Sequence, residues 1–317
     1  MVSPLGRIVE ISAAGQAIRK VRGFLAVYTG QSEAGRVPLD DIGGVIVTAR
    51  DAVFSTSLLA ALAERAIPVV LTGSDFMPSV GIHPLVGHHA QGERFRAQID
   101  GTRPLSKQLW AQLVIAKIER QGWALQMAGK EGGAFLRLAR QVRSGDPANV
   151  EAQAARRYWP LLMGDNFRRD RNGGFANGML NYGYAVIRAA TARAICAAGL
   201  HPGIGIFHRH RNNAMPLVDD LMEPFRPIVD VAVWQLVGAG REEVDREVKR
   251  ALVSLLWSDE KTLEGTTPLA TAIHRTAASL AESYLLRKAS LHFPNMAPSH
   301  DAPNIERIQD HVDDLDV

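Results

Sequence analysis

Apolar positions in the first hundred residues come in short runs. Arg7-Ile-Val-Glu-Ile-Ser12 and Phe24-Leu-Ala-Val-Tyr-Thr29 are β-rich, and Val45-Ile-Val-Thr48 and Ile67-Pro-Val-Val-Leu-Thr72 are apolar stretches bounded by glycine or proline. Between the last two, Leu58, Leu59 and Leu62 recur at helical spacing, which predicts a helix from Ser57 to Arg65 capped by Thr56 or Ser57. One helix among several strands predicts a small β-rich domain over residues 1–85 and argues against a doubly wound sheet.

The pattern changes near residue 85. A charged, helix-forming stretch from Gly87 to Ile99 falls in a connecting segment, 86–105. Beyond it the spacing is almost wholly helical. Leu109, Leu113, Ile115, Ala116 and Ile118 mark one helix and Ala134 to Val142 another. Asp146-Pro147 reads as an N-cap with proline at the first helical position, opening a helix to about Leu162. Asn177 to Ala198 is a long Ala-rich helix closed by Gly199, and 217–237, 242–257 and 264–287 supply more. The predicted class is α+β, with a small N-terminal β-rich domain followed by a larger all-α domain over 106–290. The segment 291–317 has little to pack and is expected to be a disordered acidic tail.

Composition narrows the picture. The chain has 317 residues and is 46% hydrophobic, which fits two globular domains and excludes a disordered protein. No run approaches the roughly 18 apolar residues of a membrane span, and Met1-Val-Ser-Pro-Leu-Gly-Arg7 lacks the layout of a signal peptide. The single cysteine, Cys196, has no internal partner and is expected to be a small core residue. A cytoplasmic protein without membrane contact is the expectation. Net charge is +3, but the last seventeen residues carry six acids against one base, leaving the preceding 300 at +8. That balance, supplied mostly by arginine, is compatible with nucleic acid.

Three clusters carry candidate chemistry. Glu151 lies among alanines in Asn149-Val-Glu-Ala-Gln-Ala-Ala155, where a second backbone can approach and half-bury it. A half-buried carboxylate calls for a cation or a metal, although a solvated glutamate beside Arg156 and Arg157 is the commoner outcome. His208 and His210 follow an apolar lead-in, Gly203-Ile-Gly-Ile-Phe207, and neutral imidazole is a common metal ligand; two solvated histidines in a basic loop are the plainer reading. In Leu217-Val-Asp-Asp-Leu-Met-Glu-Pro-Phe-Arg-Pro227, Glu223 shares a helix face with Asp219 and with Asp220, and Pro224 and Pro227 bend or interrupt the helix. An acidic first turn favoured by the helix dipole would look the same. Carboxylates with one imidazole suit Mg²⁺ or Mn²⁺ better than structural zinc. The loop Phe167-Arg-Arg-Asp-Arg-Asn-Gly-Gly174, between the Glu151 helix and the long helix, carries Arg168, Arg169 and Arg171; a cationic, glycine-containing loop suits a phosphodiester substrate, and an ordinary solvated loop is the alternative. Asn181-Tyr182 faces either the same site or the core.

Taken together, these pieces resemble the CRISPR adaptation integrases, the Cas1 family, in their type II form, over about 1–290. The resemblance rests on Val37-Pro-Leu-Asp-Asp-Ile-Gly43, Ile67-Pro-Val-Val70, Gly87-His88 through Gln98-Ile99, Asn149-Val-Glu-Ala152, Leu180-Asn-Tyr-Gly-Tyr-Ala185, Ala198-Gly-Leu-His-Pro202 and Asp220-Leu-Met-Glu-Pro-Phe-Arg-Pro227. It implies an endonuclease and integrase that joins DNA 3′-hydroxyls to phosphates of a CRISPR repeat, using Mg²⁺ or Mn²⁺ held by Glu151, His208 and Glu223, with Asp220 as a helper and His210 as a further candidate. It also implies that Arg168, Arg169, Arg171, Arg188 and Arg193 bind DNA. The implied partners are double-stranded and branched DNA, a second copy in a homodimer, the small second adaptation protein Cas2, and the type II effector nuclease. Two alternatives stand beside it: an unrelated metal-dependent nuclease, and a non-catalytic DNA-binding scaffold in which Glu151 and Glu223 are structural.

Overall fold

The computed structural model describes residues 7–65, 67, 69–73, 78–82, 88–170, 173–208, 210–262 and 265–294. Its N-terminal part is built from β1 (Arg7–Ile11), β2 (Gln16–Val21), β3 (Phe24–Thr29), β4 (Ser32–Pro38), β5 (Ile42–Val47), β6 (Val53–Phe54), α1 (Thr56–Glu64), β7 (Val69–Thr72) and β8 (Pro78–Ile82). They form two four-stranded sheets, in the orders β1-β5-β7-β8 and β4-β3-β2-β6. In the first, β1, β5 and β7 run parallel, with Val9 beside Val45 and Val45 beside Val69.

Strand β5 explains why its sequence is apolar without alternation. All six of its residues are buried. Val45 and Val47 face a core shared with Ile18, Leu25, Val27 and Leu58, while Ile46 belongs to the core of the helical part. A strand covered on both faces has no polar side. Helix α1 begins one residue before the predicted Ser57, because Ser55 is the residue whose side chain accepts from the Leu58 amide. Strands β2 and β4 were not predicted, and both carry charged, exposed positions.

The helical part comprises α2 (Gln91–Ile99), α3 (Arg103–Met127), α4 (Gly133–Ala139), α5 (Val150–Met163), α6 (Phe175–Ala197), α7 (Pro216–Met222), α8 (Arg226–Gly238) and α9 (Arg246–Ser254), then strands β9 (Asp259–Thr262) and β10 (Gly265–Pro268), and α10 (Leu269–Leu285). The overall class is the expected α+β. Two local expectations need correction. The stretch 264–287 is not one helix, since the antiparallel β9–β10 hairpin precedes α10. Helix α5 begins at Val150, not at Pro147: Asp146 caps it from four residues upstream, its carboxylate accepting from the Val150 and Glu151 amides at 2.9 and 3.0 Å. The chain closes that gap through left-handed Asp146 and Asn149.

Helix α6 is the centre of this part, packed against β5, α8 and α10. It approaches α8 so closely that a Cβ on Gly183 would stand 2.4 Å from Val229 Cγ1, so glycine is required there. Gly199, at φ +67°, turns the chain after α6. Cys196 is buried, and burial pushes its thiol up to about 12, consistent with an inert core residue. No helix among the described residues is long and apolar enough to cross a membrane. Arg171, Arg209, Gly87 and residues 295–317, which include nearly all of the expected tail, lie outside the described residues.

Candidate metal centre

Four stretches of chain converge beside α3. The Asp146 cap fixes the first turn of α5 and so the place of Glu151. The chain between α6 and α7 carries His208. Helix α7 stops at Met222, a 3₁₀ turn spans Glu223–Phe225, and α8 follows at once. Pro224 and Pro227 fall in the first turns of the last two elements, where a missing amide hydrogen costs nothing. This break presents Glu223 to the interior and leaves Asp220 behind the His208 loop.

Asp220 is fully buried, and four donors saturate it. Its Oδ2 accepts the Ile206 and Phe207 amides at 2.6 and 3.0 Å, and its Oδ1 accepts the His208 amide at 3.1 Å and stands 2.6 Å from His208 Nδ1. The loop is tight enough that a Cβ on Gly205 would lie 2.5 Å from the His208 carbonyl oxygen. Upstream, Gln98 of α2 clamps the same loop: its Nε2 donates to the His201 and Ile204 carbonyls and its Oε1 accepts the His201 amide. Phe207 lies flat on Trp110 of α3, ring centroids 4.2 Å apart. With Nδ1 committed to Asp220, Nε2 is the imidazole nitrogen left for a ligand, the arrangement that orients metal-binding histidines. The hydrogen bond that His208 donates to Asp220 raises its pKa, against burial, with Asp220, Glu223 and Asp219 adding charge.

The two glutamates meet across a cation the sequence did not advertise. Lys117 Nζ lies 2.5 Å from Glu151 Oε1 and 2.6 Å from Glu223 Oε2, and Arg226 Nε lies 3.1 Å from Glu223 Oε1. Burial alone would raise the Glu223 pKa, but Arg226 and Lys117 outweigh it and hold the carboxyl at about 2. Burial would likewise lower Lys117, yet Glu223 and Glu151 raise it, so the ammonium stays charged. Glu223 Oε2 is buried, and the Lys117 ammonium is the group that faces it. A buried carboxylate facing a cation, a second carboxylate on the same point and an imidazole held by its far nitrogen fit a hard divalent ion. As they stand, with Lys117 between them, no three His, Cys, Asp or Glu side chains among the described residues are close enough to share one.

The remaining candidates are distributed around this cluster. Asp219 turns away to Arg188, at 2.7 Å, and to Asn213. Arg169 bonds Asn177 and Asn181 and lies over one face of the Tyr184 ring, which also carries Arg226 at 4.8 Å. Arg168 is exposed and bonds carbonyls of its own loop. Arg193 is half-buried near His274, and burial lowers its pKa. His210 is exposed and turned into its own loop. Tyr182 is core and reaches Glu10, while Asn181 binds Arg169. Lys117, Arg226 and Gln98 had not been singled out. The available signals were a lysine between buried Ala116 and Ile118, and an arginine three residues after Glu223.

Comparison with known proteins gives a consistent family. The profile described as "CRISPR associated protein Cas1" matches residues 9–256. A "CRISPR-associated endonuclease Cas1" of Neisseria meningitidis serogroup C is 36% identical over 254 residues, covering 79% of this chain and 83% of the relative. A "CRISPR-associated endonuclease Cas1 2" of Pyrobaculum aerophilum is 28% identical over 295 residues, 87% and 98% of the two chains. Among solved structures, a casposase bound to integration product superposes with TM-score 0.76 at 19% identity, over 96% of this chain and all of that one. A Cas1 protein from Thermotoga maritima gives TM-score 0.72 at 16% identity, over 91% and 100%. The Cas1-containing chain of a Cas6-RT-Cas1–Cas2 complex gives 0.75 at 17%, over 94% and 37%.

Proposed function

The chain belongs to the Cas1 family of CRISPR-associated proteins, and we propose that it is a metal-dependent DNA endonuclease and integrase that inserts captured fragments into a CRISPR array. The observation that carries the metal dependence is the convergence of Glu151 and Glu223 on a single cation beside an imidazole fixed by Asp220. Glu151, His208 and Glu223 would hold Mg²⁺ or Mn²⁺, which supplies charge stabilisation at the attacked phosphate and orients the nucleophile. The protein's own part is positional. Asp146 fixes the start of α5, Asp220 fixes the imidazole, and the break between α7 and α8 aims Glu223 inward. Asp220, saturated by protein donors, acts on the ligand set through His208.

The substrate is double-stranded or branched DNA, whose 3′-hydroxyl attacks a repeat phosphate and expels the 3′-oxygen of the repeat strand; attack of that released hydroxyl on the branch-point phosphate is the same transfer in reverse and cleaves the branch. Among the described candidate arginines Arg168 is the exposed one and bonds only carbonyls of its own loop, which favours it for a DNA phosphate, whereas Arg169 and Arg188 are half-buried on side-chain partners. The Cas1–Cas2 complexes among the structural neighbours support assembly with Cas2, and the Neisseria relative supports the family's activity here. A homodimer, the type II form and contact with a type II effector nuclease complete the proposal. Glu151→Gln keeps the shape of the side chain and removes its charge. It should abolish strand transfer into repeat DNA with Mn²⁺ present, while DNA affinity in a gel-shift assay in EDTA stays within about twofold, as expected for a group that meets DNA only through a cation. Full strand transfer by the folded variant would overturn the assignment.

A further inference from the structure

Lys117 and Arg226 have no part in that mechanism, yet they surround the carboxylate that anchors it. Glu151, Glu223, Lys117 and Arg226 form a cluster whose formal charges cancel. Both oxygens of Glu223 already face a cation, Oε2 toward Lys117 at 2.6 Å and Oε1 toward Arg226 at 3.1 Å, and Glu151 Oε1 takes the other side of the Lys117 ammonium at 2.5 Å. Lys117 extends from the middle of α3, whose neighbouring residues Ala116 and Ile118 are packed in the core, so its stem is anchored and only its ammonium can change partner. The side chain of Glu223 is 8% exposed and that of Lys117 13%, so solvent screens these charges poorly. A divalent ion added beside the ammonium would press like charges together in a poorly solvated place. A divalent ion in place of the ammonium would not.

We infer that Lys117 is a resident cation that competes with the metal. In the metal-free protein it holds Glu151 and Glu223 together, which two bare carboxylates at this spacing would not tolerate. When the metal binds, the ammonium leaves both carboxylates, and the anion of suitable chemistry arriving at the same place is a DNA phosphate. Metal and DNA are then coupled: each favours the state in which Lys117 has left the glutamates, so each tightens the other. The inference rests on the metal-site reading above and adds to it an order of events and a positioning residue.

Direct Mn²⁺ titration by calorimetry, on the full chain without DNA, tests it. Lys117→Met should bind Mn²⁺ about tenfold or more tightly than the parent, because the competitor is gone. Lys117→Arg, which keeps a cation, should stay near the parent. In EDTA, Lys117→Met should melt lower than the parent, and saturating Mn²⁺ should raise its Tm by more. Lys117→Gln, which keeps a donor facing the carboxylates, is measured alongside so that poor folding of the methionine variant cannot decide the result; it too should bind more tightly. Branched DNA ending in a 3′-deoxynucleotide should tighten Mn²⁺ binding to the parent by a larger factor than to Lys117→Met, after subtraction of the Glu223→Gln signal. Equal or weaker Mn²⁺ binding by both neutral variants would overturn the exchange. Parent-like Mn²⁺ binding by Glu223→Gln would instead overturn the metal site itself, and the exchange with it.

Discussion

Asp220 shows how one buried side chain can set the geometry of a site it does not enter. Three backbone amides and one imidazole nitrogen converge on its two oxygens, and the loop bearing His208 has no helix or strand ladder to satisfy those amides otherwise. Asp220→Ala strands three donors near the core, and urea unfolding in EDTA should show a loss of about 3 kcal/mol or more. Asp220→Asn keeps acceptor capacity but lacks the charge that orients His208; strand transfer should fall about 10–100-fold with a smaller loss of stability. An Asn variant with parent activity would mean that the imidazole is held by something else. Glu151, His208 and Glu223 were candidates in the sequence because each sits inside a motif that resembles the Cas1 family. Lys117 was not. Its partners lie 34 and 106 residues away, and a lone lysine in an apolar helix ordinarily snorkels to solvent.

At the scale of elements, Asp230 joins three helices. Tyr158 of α5 donates to it at 2.9 Å, and Tyr184 of α6 makes a short hydrogen bond to its other oxygen, while Asp230 itself belongs to α8. Burial pushes its carboxyl up to about 6, against the lowering effect of the two tyrosine hydrogen bonds and of Arg226. Because the folded pKa exceeds the unfolded value near 3.8, the folded state binds the extra proton between those limits. Stability from this group is therefore complete below about pH 4 and falls by about 1.4 kcal/mol per pH unit as pH rises toward 6, then levels off. Urea unfolding of the parent and Asp230→Asn at pH 4, 5, 6 and 7 isolates the term: the parent's advantage should shrink up to pH 6 and then hold steady. A constant difference would show that Asp230 does not titrate in this window. Elements were legible where packing and pattern agree, as in β3, whose bounds were predicted to the residue. They were lost where a strand's inward positions are polar: in the β9–β10 hairpin, Asp259-Glu-Lys-Thr262 and Gly265-Thr-Thr-Pro268, the buried cross-strand pair is Glu260 and Thr267, with Glu260 held by Arg120 at 2.7 Å, so no apolar alternation reveals it.

For the whole molecule, the question is what fixes the strand-rich part on the helical part. Ile46 and Val70, from the sheet face opposite the β core, contribute apolar contact to the helical core. The specific link is Glu10 of β1. Its carboxylate accepts from Thr48 within its own part at 3.1 Å, and from Tyr182 of α6 at 2.9 Å and Lys249 of α9 at 2.8 Å across the boundary. Lys249 also lies over the Tyr182 ring. None of this was readable from spacing, because residues 10, 182 and 249 meet only once both parts are folded. Since Lys117, Glu151, His208 and Glu223 all belong to the helical part, loosening this link should leave their cluster intact. Glu10→Ala removes the shared acceptor of a buried tyrosine hydroxyl and an ammonium, at a cost of about 2–3 kcal/mol. Concentrated at one boundary, that loss should uncouple the two parts, so that a single calorimetric transition becomes two, with the β-rich part melting first. Tyr182→Phe deletes one hydrogen bond and keeps the ring, and should cost about 1 kcal/mol without splitting the transition. Both variants should bind Mn²⁺ as the parent does. A Glu10→Ala protein that still melts in one sharp transition, with calorimetric and van't Hoff enthalpies equal, would place the coupling in the apolar contact of Ile46 and Val70 and not in the carboxylate.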